Sequence, residues 1–228
     1  MIESTADGRI TTVTLARPER RNALTPAGLD ELRAAVTDAA TPVVSLRGAG
    51  EAFCAGADLN VVDELDGDGA AALARRGQRT ATAIAESDSV VVAGVDGAAR
   101  GGGMELALAC DLRVATPAAT FAEPGVEFGL FGAWGGTVRL PRIVDEGEAM
   151  DLALSGRVVD AAEAREMGLV SRVVEEPLAV AEEVAGNDPA ALAAVKERLR
   201  DDADTGTREE REVAAFADLA SNRRSRKG

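Results

Sequence analysis

Arg100-Gly101-Gly102-Gly103-Met104-Glu105 joins two segments with different patterns. The apolar run Val90–Val95 before it predicts a buried strand, and the small apolar residues after it, up to Cys110, predict a helix. A helix N-terminus has unpaired N–H groups and partial positive charge, and glycine allows a ligand to approach them closely. The turn is therefore a candidate site for an anion, or for an oxygen that becomes negative during a reaction, with Glu105 beside it.

A turn of this kind also has a simpler explanation. Glycine-rich turns between strands and helices are common connections, and a glutamate in a first helical turn favours the helix dipole without any chemistry. The stretch lacks the GxxxxGK[ST] pattern of a phosphate-binding loop and the GxGxxG pattern of a dinucleotide site. A functional interpretation therefore needs support from other parts of the chain.

The composition narrows the chemistry that the protein can perform. Its 228 residues, 46% of them hydrophobic, are enough for one large domain with a substantial core. The chain contains no histidine, which excludes Ser-His-Asp and Cys-His catalysis and most zinc sites. We therefore expect no metal, and we expect carboxylates, the backbone or water to transfer protons. Two cysteines, no bilayer-length apolar stretch and no signal pattern predict a cytoplasmic protein without a membrane partner.

The chain is strongly acidic, with a formal net charge of −14. This charge argues against nucleic acid as a partner, because phosphate binding depends on basic patches. Lysine occurs only at Lys196 and Lys227, whereas arginine is abundant. Two explanations remain open: a halophilic protein, whose self-repulsion is screened by salt, or a GC-rich genome that favours Arg, Ala, Gly and Val.

The order of predicted elements indicates an α/β core followed by a helical C-terminal extension. Predicted strands lie at Ile10–Leu15, Val43–Gly48, Val90–Val95, Leu112–Ala115 and 168–174. Predicted helices follow the Thr25-Pro26 start and the glycine turn, and cover 70–85, 149–154, 161–167, 177–184, 190–199 and 209–219. Residues 66–69, Asp-Gly-Asp-Gly, predict an exposed, mobile loop.

The chain resembles the enoyl-CoA hydratase/isomerase family, the crotonases, along nearly its whole length. The resembling segments occur in order: Arg21-Asn22-Ala23-Leu24, Phe53-Cys54-Ala55-Gly56-Ala57-Asp58-Leu59, 95–97 with 101–106 and Cys110-Asp111, Gly135-Gly136-Thr137 with Leu140-Pro141-Arg142, and 164–169 with Val173. The resemblance implies a crotonase-like spiral of ββα units. It also implies an acyl-CoA site in residues 1–176 and a helical oligomerisation segment in 177–228, giving a homotrimer or homohexamer.

The resemblance also implies roles for individual residues. The backbone N–H groups of Ala57 and Gly102 would hold the thioester oxygen of an acyl-CoA, and Glu105 would be the acid/base. Coenzyme A would enter as part of the substrate, with no separate cofactor. The resemblance implies that six residues line the substrate site: Ala23 near the nucleotide, Ala55, Asp58 and Leu59 along the channel, Gly125, and Trp134 by the acyl pocket. The alternative for Trp134 is a residue that only packs in the core.

The sequence departs from the family pattern at Gly125. Hydratases of this family carry a second glutamate after the proline of the segment Phe121-Ala122-Glu123-Pro124-Gly125, where this chain has glycine. Hydration needs one group to activate water and another to supply a proton, so the hydratase activity is in doubt. Glu123 and Glu127 each lie two residues from Gly125 and are candidate substitutes, or both are surface acids.

Three functions are therefore compatible with the sequence. The first is an acyl-CoA-processing hydratase or isomerase that uses Glu105, and the second is a single-glutamate enoyl-CoA isomerase or acyl-CoA decarboxylase. The third is a catalytically weak acyl-CoA-binding protein. The basic end of the chain, Arg223, Arg224, Arg226 and Lys227, would contact coenzyme A phosphates or be solvated.

Overall fold

Two β-sheets form the framework of the protein. The computed structural model describes residues 1–225, with the side chain of Ser225 excepted. Six strands form the first sheet, in the spatial order β1 (Ile2–Asp7), β2 (Ile10–Leu15), β3 (Val43–Gly48), β5 (Val90–Val95), β7 (Leu112–Ala115) and β10 (Arg172–Val173). Four shorter strands form the second sheet, in the order β4 (Ala52–Cys54), β6 (Ala98–Arg100), β8 (Thr120–Ala122) and β9 (Val159–Asp160).

The connections between the sheets repeat and generate a spiral. Strands β3, β5 and β7 lie in the first sheet, and the strand that follows each of them, β4, β6 or β8, lies in the second. Neighbouring strands are parallel except for the pairs β1–β2 and β8–β9. Each β3–β4, β5–β6 and β7–β8 pair is followed by helical structure, so the predicted spiral of ββα units is confirmed.

Ten helices cover and connect the sheets. They are α1 (Pro26–Thr37), α2 (Leu59–Val62), α3 (Gly67–Ala85), α4 (Gly102–Ala109), α5 (Gly136–Arg139), α6 (Glu146–Ser155), α7 (Ala161–Glu166), α8 (Pro177–Ala185), α9 (Pro189–Arg200) and α10 (Thr205–Ser225), within the range 1–225. Seven begin at a side chain that accepts a backbone N–H: Thr25, Asp58, Asp66, Asp145, Asp160, Asp188 and Asp204. Helix α4 begins differently, at Gly101 with φ of 47° and without a side-chain cap. Its first N–H groups are therefore left to another partner.

The hydrophobic core has two parts, one on each side of the first sheet. The larger part includes most of α4 together with Phe53 and Phe121 of the second sheet. In the smaller part, Val180, Ala181 and Ala185 of α8 pack on valines of β3, β5 and β7. Helix α8 is thus bound to the sheet of its own chain. The boundary after residue 176 stays a prediction, and α9 and α10 are the helices of the C-terminal segment that remain largely exposed.

The structure corrects several of the predicted elements. Residues 66–69 are not a mobile loop, because the Asp66 carboxylate accepts the Gly69 N–H at 2.8 Å and starts α3. The predicted strand at 168–174 is reduced to Arg172–Val173, and the last helix begins at Thr205 rather than at 209. In the range 1–225, no helix combines the length and the apolarity that a membrane crossing requires.

Candidate active site

Two glycine-containing loops meet at the N-terminus of α4. Gly56 has φ of 88°, and a Cβ atom at this position would lie 2.9 Å from Gly102 N and 2.9 Å from Arg100 O. The loop that contains Gly56 is held against the segment at Leu24 by two backbone hydrogen bonds. Leu24 N donates to Gly56 O at 2.8 Å, and Asp58 N donates to Leu24 O at 3.0 Å. This close backbone approach needs glycine at residue 56, and it places Ala57 beside the start of α4.

The amides of Ala57 and Gly102 are available to a ligand. Both residues line a cavity of about 250 Å³. Among residues 1–225, neither amide donates to a protein acceptor, since the bridge between Leu24 and Ala57 uses the flanking groups and Gly102 is the first residue of α4. Two free N–H donors at a helix N-terminus can bind an oxygen that gains negative charge.

Glu105 lies in the wall of the same cavity and is almost completely buried, with 1% of its surface exposed. Its Oε1 atom accepts hydrogen bonds from Trp134 N at 2.8 Å and from Gly136 N at 2.5 Å. Burial raises the pKa of Glu105 to about 7, although the two N–H donors and the nearby Arg139 guanidinium act to lower it. The carboxyl group can therefore both accept and release a proton near neutral pH.

Trp134 both packs and lines the cavity, so the two interpretations of this residue hold together. Its side chain is 4% exposed and lies between Gly77 of α3 and Gly102 of α4. A Cβ atom built on Gly77 would lie 2.1 Å from Cδ1 of the Trp134 indole, and one built on Gly102 would lie 2.4 Å from its Cζ3. The indole fills the space that these two glycines leave and so fixes the distance between the helices.

The chain that forms these two glycine-containing loops, with their free amides and the buried glutamate, also matches a known protein family over nearly its whole length. The family model of enoyl-CoA hydratase/isomerase matches residues 5–228. The chain belongs to the enoyl-CoA hydratase/isomerase family. Two bacterial relatives are the 2,3-dehydroadipyl-CoA hydratase of Escherichia coli, 38% identical over 94% of this chain and 84% of that protein, and the crotonyl-CoA hydratase of Syntrophomonas wolfei, 39% identical over 60% of this chain. The chain spans only 54–59% of the length of three curated relatives, the S. wolfei protein among them.

Solved structures of the family share the fold. The enoyl-CoA hydratase of Bacillus anthracis matches with a TM-score of 0.89 and 33% identity, over 95% of this chain and 89% of the other. The enoyl-CoA hydratase of Thermoplasma volcanium matches with a TM-score of 0.91 and 30% identity, over 96% and 92% of the two chains. The α/β spiral with a helical C-terminal part is therefore the fold of the enoyl-CoA hydratase/isomerase family.

The structure brings most, but not all, of the implied family site residues to the cavity. Ala55, Ala57, Leu59, Gly102, Glu105, Gly125 and Trp134 line it. Ala23 and Asp58 do not. The Asp58 carboxylate lies 2.6 Å from Arg17 Nη1, which lowers the pKa of Asp58, and it caps α2 through Asn60 N. Arg17 also donates to Ala23 O at 3.3 Å, so it connects Ala23 with Asp58 outside the cavity. The substrate contacts of Ala23 and Asp58 stay a prediction.

Gly125 and its two acidic neighbours occupy different environments. A Cβ atom at Gly125 would lie 2.9 Å from Phe131 Cα and 3.1 Å from Leu130 O, so a side chain here requires the loop to move. Glu123 lines the cavity with 6% of its surface exposed, whereas Glu127 is exposed to solvent. The surface interpretation is therefore wrong for Glu123 and confirmed for Glu127.

Several lining residues were missed by sequence reasoning. Ala70, Leu73 and Ala74 form one face of α3, and their i, i+3, i+4 spacing is a detectable signal for a buried stripe. Phe128 and Leu130 come from the 3-10 turn at Pro124–Phe128 and the loop after it. These positions carry no periodic pattern, so nothing in the sequence distinguished them from ordinary loop residues.

Proposed function

We propose that the protein is an acyl-CoA-processing enzyme that stabilises a thioester enolate. The observation that carries this proposal is the meeting of two free amides, those of Ala57 and Gly102, with the buried carboxyl group of Glu105 in one cavity. An enolate next to a thioester has its negative charge on the former carbonyl oxygen. Two N–H donors fixed in advance around that oxygen lower the barrier to its formation.

The oxyanion site uses both the amides and the helix. The thioester oxygen would accept hydrogen bonds from Ala57 N and Gly102 N, at the positive end of α4. Losing one such donor typically costs about 3 kcal/mol of barrier. The packing of Trp134 against Gly102 holds the second donor in place, so the site is organised before the substrate arrives.

Glu105 is the group that transfers the proton. It lies in the first turn of α4, three residues after the donor Gly102, and its carboxyl group faces the same cavity. With its pKa raised to about 7, it is partly ionised at neutral pH and can take a proton from water or from the acyl chain. The coenzyme A moiety belongs to the substrate, so this chemistry needs no separate cofactor and no metal.

A second candidate function is supported by Gly125. Double-bond isomerisation and decarboxylation need enolate stabilisation and at most one base. Water addition needs a further proton-transferring group, which the glycine at residue 125 does not provide. Product analysis decides between them: the 3-hydroxyacyl-CoA forms from crotonyl-CoA by hydration, whereas a 3-enoyl-CoA yields its 2-enoyl isomer and a malonyl-type thioester yields carbon dioxide.

The decisive variant is Glu105→Gln, which keeps the size of the side chain and removes its ability to exchange a proton. We expect kcat to fall by at least about a hundredfold, the usual scale for a general acid/base, while KM changes little. Glu166→Gln, at an exposed position of α7, is the matched control and should retain full activity. Activity of Glu105→Gln within a few-fold of the wild type would refute the role of Glu105. Tight acyl-CoA binding without any turnover by the wild type would support the weak binding protein instead.

A further inference from the structure

Glu123 is a buried acid that the mechanism so far does not use. It follows the short strand β8, and 6% of its surface is exposed. Both of its carboxyl oxygens are buried, and neither has a hydrogen-bond partner among residues 1–225. A buried polar group without a partner costs free energy, so packing alone does not explain a glutamate here. Glu123 instead lines the cavity that Glu105 also lines.

The geometry at Gly132 sets an upper limit on the distance between the carboxyl oxygens of Glu105 and Glu123. A Cβ atom built on Gly132 would lie 2.9 Å from Glu123 Oε2 and 3.0 Å from Glu105 Oε1. These two oxygens can therefore be separated by no more than the sum of those distances, about 5.9 Å. The two carboxyl oxygens are thus close enough for a single substrate atom or one water molecule to contact both of them. Glycine at residue 132 keeps the gap open.

We propose that Glu123 is the second catalytic acid of this enzyme and supplies the carboxyl group that is absent at Gly125. This proposal rests on the proposed function, because it assigns Glu123 to the reaction of the same cavity. The group is displaced by two residues along the chain, and it reaches the site from the end of β8 instead of from the 3-10 turn at Pro124–Phe128.

At neutral pH Glu105 is partly ionised, whereas Glu123 stays protonated. Glu105 receives two backbone N–H groups, which stabilise its ionised form, and Arg139 on α5 adds positive charge. Glu123 receives no donor, and burial followed by the charge of Glu105 raises its pKa to about 9. Glu123 also lines a second cavity, of about 440 Å³, and the other acid of that cavity, Glu146, begins α6 and is exposed. Glu105 is therefore the base and Glu123 the proton donor.

The proton balance of hydration follows from this assignment. The water oxygen forms a bond to the β-carbon of the enoyl thioester while one water proton passes to the Glu105 carboxylate. The double-bond electrons move to the thioester oxygen, held by Ala57 N and Gly102 N, and the resulting enolate takes a proton at its α-carbon from Glu123. One proton then passes from Glu105 to Glu123, which restores both groups. In isomerisation, the same pair removes a proton from one carbon and delivers one to another.

The test compares Glu123→Gln with Glu127→Gln, since both residues are glutamates of the same short segment and only Glu123 faces the cavity. Turnover is measured with crotonyl-CoA and with a 3-enoyl-CoA, on whichever reaction the wild type performs faster. We expect Glu123→Gln to lose at least about a hundredfold in kcat with little change in KM, and Glu127→Gln to stay within about twofold. Glu123→Asp should recover part of the activity, because a carboxyl group is present again.

A spectroscopic readout separates this proposal from the proposed function. Bound cinnamoyl-CoA absorbs at longer wavelength when two N–H donors polarise its carbonyl, and this shift should be the same in the wild type and in Glu123→Gln. No shift and no turnover in the wild type would refute the proposed function, and the role of Glu123 with it. A normal shift with unchanged turnover in Glu123→Gln would overturn the role of Glu123 alone.

Gly132→Ala provides a second test that leaves both acids in place. The added methyl group would enter the gap between the two carboxyl groups, so we expect it to reduce kcat by at least tenfold while cinnamoyl-CoA still binds. This variant keeps the proposal falsifiable if Glu123→Gln fails to fold, which circular dichroism would reveal. Full activity of Gly132→Ala would contradict a shared site between the two acids.

Discussion

At the scale of single residues, the number of N–H groups that reach a carboxylate decides its chemistry. Glu105 accepts two backbone N–H groups, Glu123 accepts none, and Glu127 is exposed to solvent. With the roles proposed above, the same type of side chain serves as a base, a proton donor and a surface acid within 23 positions of the chain. Trp134 and Gly136 each donate one N–H to Glu105, and a Cβ atom at Gly136 would lie only 2.8 Å from Glu105 Oε1. Gly132 likewise leaves room for both acids.

This difference predicts a bell-shaped dependence of kcat/KM on pH. Activity should rise as Glu105 loses its proton near pH 7 and fall as Glu123 loses its proton near pH 9. Initial rates between pH 5 and pH 10 measure both limbs. In Glu123→Gln the falling limb should disappear from the residual activity, since the group that titrates there is gone. A falling limb that is unchanged in this variant would contradict the assignment.

The same pKa shifts have a consequence for stability, with a definite sign. Both carboxyl groups have pKa values in the folded protein above 4.5, the ordinary value of a glutamate side chain. The folded state therefore binds more protons than the unfolded state, and this contribution is fully present below pH 4.5 and lost as the pH rises towards 9. The free energy of unfolding should fall over this window less steeply in Glu123→Gln than in the wild type, as measured by urea titration at several pH values.

At the scale of secondary-structure elements, the contact between α3 and α4 depends on Trp134. Gly77→Ala would place a methyl group 2.1 Å from the indole Cδ1, so the indole or the helix must move. We expect a loss of about 1–3 kcal/mol in the free energy of unfolding, the usual cost of overpacking, together with reduced kcat because Gly102 is displaced. Gly67→Ala on the same helix meets no atom within 4 Å and is the matched control, with equal or higher stability. Equal melting temperatures for both variants would show that the indole does not fix the helices.

The elements that the sequence predicts are those with a long local signal. Strand β5 is an unbroken apolar run, and β3 is apolar except for Ser45, Arg47 and its last residue, Gly48. Helix α1 has a Thr-Pro start, and α4 begins within the run of three glycines. Strands β4, β6 and β8 have three residues each, too few for an alternating pattern to be visible. The start of α3 was missed because its Asp-Gly-Asp-Gly composition is typical of loops, and only the capping contact of Asp66 reveals it.

The candidate site was predictable to the extent that its groups belong to motifs. Ala57, Gly102 and Glu105 stand in segments with a characteristic spacing, and the structure gathers them in one cavity. The burial of Glu123 could not be predicted, because it depends on Gly132 and on the fold of the loop that follows the 3-10 turn. The repeating ββα units were also invisible as a sequence period, since β3, β5 and β7 begin at the unequally spaced residues 43, 90 and 112.

At the scale of the whole molecule, α9 is attached to the core of its own chain, whereas α10 is largely exposed. Lys196 and Arg200 of α9 form ion pairs with Asp111 at 2.9 and 2.8 Å, which attach α9 to the core. Helix α10 continues beyond this anchor, and Val213 and Phe216 are 71% and 75% exposed. Exposed apolar residues on a helix favour contact with another subunit. Arg226 and Lys227 of the basic end lie outside the described residues, so the predicted contact to coenzyme A phosphates remains a prediction.

We expect α10 to contribute to a homotrimer or homohexamer, as the family resemblance implies. A charged residue at the exposed apolar position, Phe216→Asp, should weaken the assembly, whereas Asn222→Asp at an exposed polar position of the same helix should not. Subunits that each carry a net charge of −14 also repel one another, and this repulsion is screened over about 10 Å at 0.1 M salt but about 3 Å at 1 M. The assembly should therefore become tighter as salt increases, and light scattering at both concentrations measures it. A wild type that stays monomeric in 1 M salt would contradict the predicted oligomer, because under that condition the charge no longer opposes association.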